Sequence, residues 1–565
     1  MGLSTSTIAT NPGMVTRTEL IGKFRQDLVR NDKLRIFLTV DKDKQWITEH
    51  EFAEYLRLLS KVNPRILKLL YSATSILGGF PFLAKSEQLS RPELWIACQI
   101  HCGDHGLFDL QEYAKLVFQS FALASNLTDD IKQSLEKTIQ EPNEKNAPEC
   151  IESDEKDVSA IISRERGEST YKLPENARWE SYLEPLEKQV MRASDMLLLT
   201  TLFLIVSANE PLDKLNAQVW NTYEQYAMLL VRYVDVQINA KNINDYWINQ
   251  DQFISLQHFF GLVLKKLFKP LILKVQAKAD SVIDCTIRHA LTEETTLVNN
   301  SSFAYMSHAL SGIIDVNYDN MIKLYCGAES GFSIRSLEMK IFKWRAPTIF
   351  IIEGKRISEK AQKSNKRYIN FAERFPYKLS TKDWQKNGET ICYAVVMRSP
   401  WTVSNKSNFG DSATTIVSLS PRFDVYKAKR SANVYFNTLG MGIGFGNDQP
   451  VIKNSVKKYI AGGVSLTLDS TLEFGVFRHL LGSNSFFETS NILHEDFEDR
   501  LIITDVEVWG VGTSKELQEQ KRQWAWEKKV AEERQSVNIR NMGEERAFLE
   551  MAGVIGNHGS NGGSV

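Results

Sequence analysis

The stretch DVEVWGVG, at residues 505–512, closes a series of short apolar runs that begins near Ile322. Along this series the apolar period is close to two, whereas upstream it is close to 3.6. Turn-rich segments separate the runs, as expected for successive strands. The runs read PTIFIIE (347–353), ICYAVVM (391–397), TTIVSL (414–419) and VSLTLDS (464–470). The pattern predicts a β-rich domain that ends near Gly512.

Helical patterns flank this β-rich domain, so the predicted fold class is α+β. Thr16 and Glu19 form a capping box at the start of the first helical region. The stretch EPNEKNAPECIESDEKD is acidic and poor in large apolar residues, which favours a flexible linker. We divide the chain into a flexible N-terminus (1–15), a first helical region (16–125), a linker (126–170), a second helical region (171–302), the β-rich domain (303–512), a C-terminal helix (513–551) and a disordered tail (552–565).

Length and composition narrow the class of protein. The 565 residues are too many for one core, and Lys+Arg 68 against Asp+Glu 69 gives a net charge of −1. Such a balance gives no field that would attract nucleic acid, so we expect none as a partner. Six scattered cysteines fit a reduced, intracellular protein. The most apolar run, Met196–Ala208, is too short to span a bilayer and predicts a buried helix.

The N-terminus MGLSTS fits the acceptor pattern for N-myristoylation, with Gly2 as the modified residue and Ser6 at the selective position. No charged residue lies between Leu3 and Thr10. The alternative is an unmodified, frayed terminus. We expect a myristoyl group on Gly2 that contacts a membrane surface.

Two segments of the first helical region resemble degenerate EF-hand loops. In DKDKQWITEHEF (41–52), Asp41, Asp43 and Glu51 are weak calcium candidates, but the loop is one residue short and Trp46 replaces the turn glycine. In HCGDHGLFDLQE (101–112) the frame is correct, but the first ligand positions lack carboxylates. We therefore interpret the region as a structural EF-hand-like module and predict no metal site.

The sequence offers no catalytic constellation. It contains no phosphate-binding loop of the Walker type and no HExxH, GxSxG or kinase motif. In GMGIGFG (440–446) the glycines alternate, which favours a strand with close backbone approach over a dinucleotide site. We predict a protein that is not an enzyme, with no cofactor and no small-molecule substrate.

The β-rich segment resembles a TLDc domain. The closing DVEVWGVG is the most specific piece, and seven other motifs precede it in order. These are LYCGAESGFS (324–333), APTIFIIE (346–353), SPW (399–401), FGD (409–411), GIGFG (442–446), LTLDSTLEFG (466–475) and FETSNIL (487–493). The residues that match the signature are Gly331, Ser333, Pro347, Trp401, Gly442, Gly444, Gly446, Asp469, Thr489, Glu507, Trp509 and Gly510.

Three segments depart from the TLDc pattern. A basic insertion occupies residues 356–375, the segment KNSVKKYIAGG (453–463) is longer than usual, and HLLGSNSFFET (479–489) replaces a small, cysteine-bearing stretch.

The resemblance implies a two-sheet β-sandwich with flanking helices. It also implies binding to subunits of the vacuolar proton-pumping ATPase and modulation of its assembly, with disassembly as the expected direction. The implied location is cytoplasmic, with peripheral attachment to the vacuolar membrane. Oxidative-stress protection is a second activity associated with the family.

The helix after the β-rich domain carries two tryptophans among dense charges, in SKELQEQKRQWAWEKKVAEERQSV (514–537). Its apolar residues form thin rows, which include Leu517 with Trp524, and Trp526 with Val530. Either the helix packs back on its own sandwich, or it docks in a partner's groove, since tryptophan is favoured at binding hot spots. Our candidate partner-binding residues are Leu517, Trp524, Trp526 and Val530.

Two rival functions stay open at this point. A cytosolic oxidative-stress protein acting on oxidants requires a low-pKa thiol, for which Cys326 and Cys392 are the cysteines in the TLDc segment. A calcium-responsive adaptor requires a calcium-dependent change in mobility or in fluorescence at Trp46.

Overall fold

The computed structural model describes residues 46–58, 63–80, 83, 88–102, 110–126, 189–254, 263–269, 271, 293–376, 378–453, 456–482 and 484–551. The predicted flexible N-terminus, linker and tail lie outside these residues, apart from the linker's first residue, Asn126, which ends a helix.

The first part of the chain is built of helices and very short strands. In chain order the elements are β1 (Trp46–Ile47), α1 (Glu49–Leu56), α2 (Pro64–Gly78), β2 (Leu89–Ser90), α3 (Arg91–Cys102), α4 (Leu110–Asn126), β3 (Met191–Arg192), α5 (Ala193–Ser207), a 3-10 turn (Leu212–Lys214), α6 (Ala217–Val234), β4 (Trp247–Ile248) and α7 (Gln250–Ile254).

A pair of two-residue strands joins the first helices. In the antiparallel pair β1–β2, Ile47 lies opposite Leu89. The bridge partner of Ile47 therefore precedes α3 and does not belong to the 101–112 segment that we interpreted as the second loop. That segment instead includes the end of α3 and the start of α4, and residues 103–109 lie outside the described part.

A second pair, β3–β4, repeats this arrangement, with Met191 opposite Ile248. The strand-to-helix junctions WITEHEF (46–52) and WINQDQF (247–253) share three residues and one type of cap. Reciprocal hydrogen bonds join Thr48 to Glu51 and Asn249 to Gln252. Such a cap satisfies two backbone N–H groups at a helix start. Sequence analysis missed this internal repeat, although the two heptapeptides display it.

Helix α5 lies inside the helical part. Its residues from Met196 to Val206 are buried, which confirms the prediction of a buried helix. Its Asp195 accepts hydrogen bonds from Arg65 of α2 and Ser125 of α4, each at 2.6 Å, and so ties three helices together. Within the described residues, no helix is both long and apolar enough to cross a membrane.

The second part of the chain contains most of the strands. Its helices before the sheet's last strand are α8 (Asn300–Ala309), α9 (Gly327–Ser330), α10 (Ile334–Ile341), α11 (Glu359–Ser364) and α12 (Lys366–Arg374). Its strands are β5 (Met321–Cys326), β6 (Thr348–Arg356), β7 (Thr390–Met397), β8 (Thr415–Ser420), β9 (Asp424–Lys427), β10 (Tyr435–Asn437), β11 (Gly442–Phe445), β12 (Asp448–Lys453), β13 (Val456–Ile460), β14 (Val464–Leu468), β15 (Phe474–His479) and β16 (Phe497–Val511). Helix α13 (Ser514–Met551) follows β16.

One antiparallel sheet runs through this part in the order β10-β11-β14-β15-β16-β6-β7-β8-β9, and β5 also pairs with β16. The 15 residues of β16, about 50 Å of extended chain, pair with β15 at their start and with β5 at their end. A register shift between Ile503 and Asp505 separates the two stretches. The expected two sheets are thus layers of one sheet that share β16.

The two layers pack face to face around aromatic side chains. Tyr393 of β7 stacks on Phe477 of β15 with ring centroids 4.5 Å apart, and Phe350 of β6 contacts Phe445 of β11 at 5.6 Å. The alternate residues of β6, such as Ile351, join the core of the helical part. Both faces of this strand are therefore buried, which explains its continuous apolar run.

Two of the segments that depart from the TLDc pattern pack together on the outside of β15. The 356–375 insertion supplies α11 and α12, and the long segment 453–463 supplies β13 and the last residue of its hairpin partner β12. Phe371 of α12 lies 5.5 Å from Tyr459 of β13 and 5.8 Å from Phe474 of β15, between ring centroids. The two departures thus form one satellite cluster.

Candidate partner-binding site

Two buried carboxylates near the end of β16 bind the segment that precedes α8. Glu507, which has no exposed surface, accepts a hydrogen bond from the Thr295 hydroxyl at 2.9 Å. The Leu297 N–H donates to the same carboxylate at 3.3 Å, and the Trp509 indole N–H donates at 2.9 Å. Burial raises the pKa of Glu507, while these donors act in the opposite direction.

Asp505 and Cys326 lie beside Glu507, and one potential ligand atom from each of the three residues falls within 4.8 Å of the others. The Asp505 carboxylate accepts from the Thr296 hydroxyl at 2.8 Å and from the Ala328 N–H at 3.3 Å. Protein donors therefore already satisfy both carboxylates. We interpret the group as a hydrogen-bonded clamp and assign it no metal.

The signature residues Trp401, Trp509 and Gly510 contribute to packing inside the domain. Trp509 and Trp401 are almost fully buried, and the Trp401 indole N–H donates to the Thr348 hydroxyl at 2.9 Å. Gly510 lies against Trp344, where a Cβ atom would come within 2.6 Å of the ring. The Trp344 indole N–H in turn donates to the carbonyl of Pro347 at 2.9 Å. This part of the signature fixes the end of the sheet.

The remaining signature residues shape turns and strands at separate places. Gly442 has φ +67°, and a Cβ atom there would lie 2.1 Å from the carbonyl of Leu468, as expected for close backbone approach. Asp469 accepts from the N–H groups of Glu473 and Phe474 at 2.7 and 2.8 Å, which closes the β14–β15 turn. The others, also dispersed, are Gly331, Ser333, Gly444, Gly446 and Thr489. The signature therefore specifies the fold and does not converge on one surface.

Helix α13 is fixed to the sandwich by one of its faces. At its start the Glu516 carboxylate accepts from the N–H and hydroxyl of Thr513 at 2.7 and 3.1 Å. Leu517 is buried in the core between the layers, and Trp524, two turns further, packs against the same core. An ion pair of Lys343 with Glu527 joins the next turn to the segment after α10. Hence the first part of α13 packs back on its own domain.

The opposite face of α13 carries the other tryptophan. Trp526 lies nine positions after Leu517, about half a turn round the helix. Its side chain is 64% exposed, whereas Leu517 is 8% exposed and Val530 is half-buried. The four candidate residues thus do not form one row. Trp526 presents the apolar surface that a partner could cover.

The structure describes only part of the other predicted sites. Gly2, Asp41 and Asp43 lie outside the described residues, so lipidation and calcium binding stay predictions. The Glu51 carboxylate accepts from the N–H and hydroxyl of Thr48 at 2.9 and 3.1 Å in the cap of α1. Burial raises the pKa of the Cys326 thiol and that of the Cys392 thiol.

Comparison with known proteins supports the sequence resemblance. A family model described as TLDc domain matches residues 291–512. Proteins named restriction of telomere capping protein 5 match over most of the chain. The one from Scheffersomyces stipitis is 38% identical, covering 94% of this chain and 93% of its own. The one from Clavispora lusitaniae is 41% identical, and the match covers 88% of this chain and 87% of that protein. The chain belongs to the restriction of telomere capping protein 5 family.

In this member of the telomere capping protein 5 family, the TLDc match starts upstream of our predicted boundary at residue 303. The residues between the two starting points, 291–302, include Thr295–Leu297, the segment that Glu507 binds. Sequence reasoning missed this segment because its partner is 212 residues away in the chain. Two adjacent threonines before the capping Asn299 were the only local signal.

Proposed function

We propose that this protein is a non-catalytic adaptor that binds the vacuolar proton-pumping ATPase at the membrane and modulates its assembly, in the direction of disassembly. The observation that carries the proposal is the exposed Trp526 on a helix whose other face is fixed to the TLDc domain. A large apolar side chain held on a rigid helix binds with little loss of conformational entropy.

The length of α13 supports a role as a docking helix. Its 38 residues correspond to about 57 Å. Leu517 and Glu527 attach its first turns to the domain. Residues 531–534, which follow, are exposed. A helix attached at one end can reach into a groove of a large assembly while the TLDc domain contacts a neighbouring subunit.

The N-terminal glycine supplies the membrane part of the proposal. One myristoyl chain gives only marginal, reversible attachment, so a second contact is required. The first cysteine is Cys98, which leaves no nearby site for palmitoylation. A membrane-bound pump would provide the second contact, and engagement of both ends raises the effective concentration of each.

The rival functions gain no support from the described residues. A peroxide-reactive thiol needs a lowered pKa, but burial raises that of Cys326 and Cys392. Nothing described favours the calcium-responsive adaptor. The family name refers to telomere capping, and we propose that this link is genetic, because a chain of net charge −1 has no overall attraction for DNA.

Affinity capture from vacuolar membranes tests the proposal. We would compare wild type, Gly2→Ala and Trp526→Ala, with Trp46→Ala as the matched control because Trp46 is an exposed tryptophan in the helical part. We expect pump subunits with wild type and the control, and a loss of at least about tenfold with Trp526→Ala. Absence of pump subunits from the wild-type capture would reject the pump as partner. Equal recovery with Trp526→Ala would reject α13 as the docking element.

The direction of regulation needs a separate readout. Addition of the purified chain to vacuolar membranes should release the peripheral sector of the pump into the supernatant, and Trp526→Ala should release less. Retention of that sector in the presence of the wild-type chain would overturn the disassembly assignment while leaving the binding proposal intact.

A further inference from the structure

Exposed apolar side chains gather at one corner of the sandwich. Among the described residues, half of the exposed large apolar side chains lie on three segments of the TLDc domain, and these are Val403, Leu439, Val451, Ile452, Val456 and Ile460. We call residues 402–408, 438–440, 448–453 and 456–460 together the hairpin corner. A concentration of this kind marks a contact surface, whereas single exposed apolar residues do not.

Hydrogen bonds hold the three segments side by side. The Asn405 amide donates to the Thr438 hydroxyl at 3.0 Å, and its oxygen accepts from the Thr438 N–H at 2.9 Å. The Lys457 ammonium donates to the carbonyl of Leu439 at 3.1 Å. The three segments that carry these side chains are therefore neighbours in the fold.

The hairpin β12–β13 alternates lysine with aliphatic residues on its outer face. The register places Val451 opposite Lys458 and Lys453 opposite Val456. Directly opposite residues share a face of an antiparallel pair. Tyr459, on the other face, is buried in the aromatic cluster with α12. The hairpin thus presents Val451, Lys453, Val456 and Lys458 on its outer face. Ile452 and its partner Lys457 lie on the face of Tyr459, where Ile452 is still exposed.

The charge of the hairpin corner is positive. It contains Lys406, Lys453, Lys457 and Lys458, against Asp448 as its acidic residue. The Asp448 carboxylate accepts a hydrogen bond from the Asn433 amide at 3.0 Å. The adjoining residues 359–376 and 378 add six basic and two acidic residues. This local excess contrasts with the near-neutral chain.

We propose that the hairpin corner docks on the surface of an anionic lipid bilayer. Aliphatic side chains next to lysines fit the boundary between acyl chains and negative headgroups. A protein partner is less suited, because protein interfaces favour Tyr, Trp and Arg and are depleted in Lys. The hairpin corner supplies aliphatic side chains and lysines. This inference goes beyond the proposed function and requires no contact with the pump.

Vesicle sedimentation tests the lipid contact. The full chain carrying Gly2→Ala, which removes the acceptor for the acyl group, is mixed with phosphatidylcholine vesicles with or without phosphatidylserine. We expect sedimentation only with phosphatidylserine. Lys453→Glu/Lys458→Glu should weaken it by at least about tenfold, and Val451→Ser/Val456→Ser should weaken it as well. Lys515→Glu/Lys521→Glu, with the same charge change on exposed positions of α13, is the matched control and should bind as the parent does.

Three outcomes would overturn the proposal. The first is failure of the parent chain to sediment with anionic vesicles, which would leave an acidic protein surface as the occupant to examine. The second is equal binding to vesicles of both compositions. The third is a loss for the control that equals the loss for the hairpin variants. Leu439→Ser, on a different segment of the corner, should also weaken binding, and thermal unfolding of each variant checks that it is folded.

Discussion

Thr295 and Glu507 lie 212 residues apart in the chain, and their side chains meet at 2.9 Å. The contact joins the segment before α8 to the last strand of the sheet. Because Glu507 also accepts from Leu297 and Trp509, one carboxylate serves three donors from two parts of the chain. The contact of Thr295 and Leu297 with β16 explains why the TLDc match begins before α8, at residue 291.

Replacement of Glu507 by alanine should destabilise the protein strongly. The change leaves the buried N–H groups of Leu297 and Trp509 without this acceptor, and an unsatisfied buried donor costs about 1–3 kcal/mol. The Thr295 hydroxyl keeps only its longer contact with the Val298 carbonyl. We expect a loss of about 3 kcal/mol or more in the free energy of unfolding, measured with denaturant. Glu507→Gln keeps one oxygen and should lose less. An alanine variant as stable as wild type would show that the clamp contributes nothing.

The same carboxylate predicts a pH dependence. Burial raises the pKa of Glu507 in the folded state, so the folded protein binds the proton more tightly than the unfolded chain. Its contribution to stability is therefore most favourable at low pH and declines as pH rises from about 4 through the raised pKa. The stability of wild type relative to Glu507→Gln should fall over this interval. A difference that stays constant with pH, or rises, would contradict the assignment.

The thiols in the TLDc domain should be unreactive in the native protein. Burial raises the pKa of Cys326 and Cys392, which lowers their thiolate fraction at neutral pH. We expect labelling by a thiol reagent only after unfolding, with peptide mass spectrometry to assign the sites. Rapid labelling of Cys326 in the folded chain would revive the oxidant-directed function.

The β-rich part was predictable from its period, but its connection into one sheet was not. Apolar runs such as that of β6 identify strands because both faces are buried. Pairing depends on contacts between distant residues, and here it depends on the length of β16 and its register shift after Ile503. Period-two patterning locates a strand without revealing that it pairs in both layers.

The candidate site was predictable only in part. The sequence placed two tryptophans on one charged helix, but Trp524 and Trp526 point to different sides. The sequence showed two thin apolar rows on α13 but not which of them packs on the domain. The choice depends on the core between the sheet layers, which Leu517 contacts. In the helical part, the repeat shared by residues 46–52 and 247–253 was visible, and the bridge to Leu89 required the structure.

The two faces of α13 should respond differently to substitution. Leu517→Ala removes buried apolar volume and should cost about 2–3 kcal/mol of stability. Trp526→Ala changes an exposed side chain and should alter the free energy of unfolding by less than about 0.5 kcal/mol. Denaturant unfolding measures both. A large destabilisation by Trp526→Ala would mean that its effect on partner binding cannot be separated from folding.

The attachment of α11 and α12 to the sandwich should depend on a buried carboxylate of β16. Glu498 accepts from Arg478 at 2.6 Å and from Arg500 at 2.5 Å, and all three side chains are buried. Arg500 also donates to the Tyr368 hydroxyl of α12 at 3.0 Å, and the Arg478 guanidinium lies 4.8 Å from the Phe375 ring centre. The ion pairs therefore hold the residues that bind the insertion.

Glu498→Ala leaves two buried guanidinium groups without their carboxylate, and loss of one partner from a buried pair costs about 3–5 kcal/mol. We expect that loss in denaturant unfolding, together with faster proteolysis within residues 359–375. Glu473→Ala is the matched control, because its ion pair with the exposed Arg367 is worth less than about 1 kcal/mol. If Glu498→Ala unfolds like wild type and the insertion resists protease equally, packing around Phe371 alone holds α11 and α12 in place.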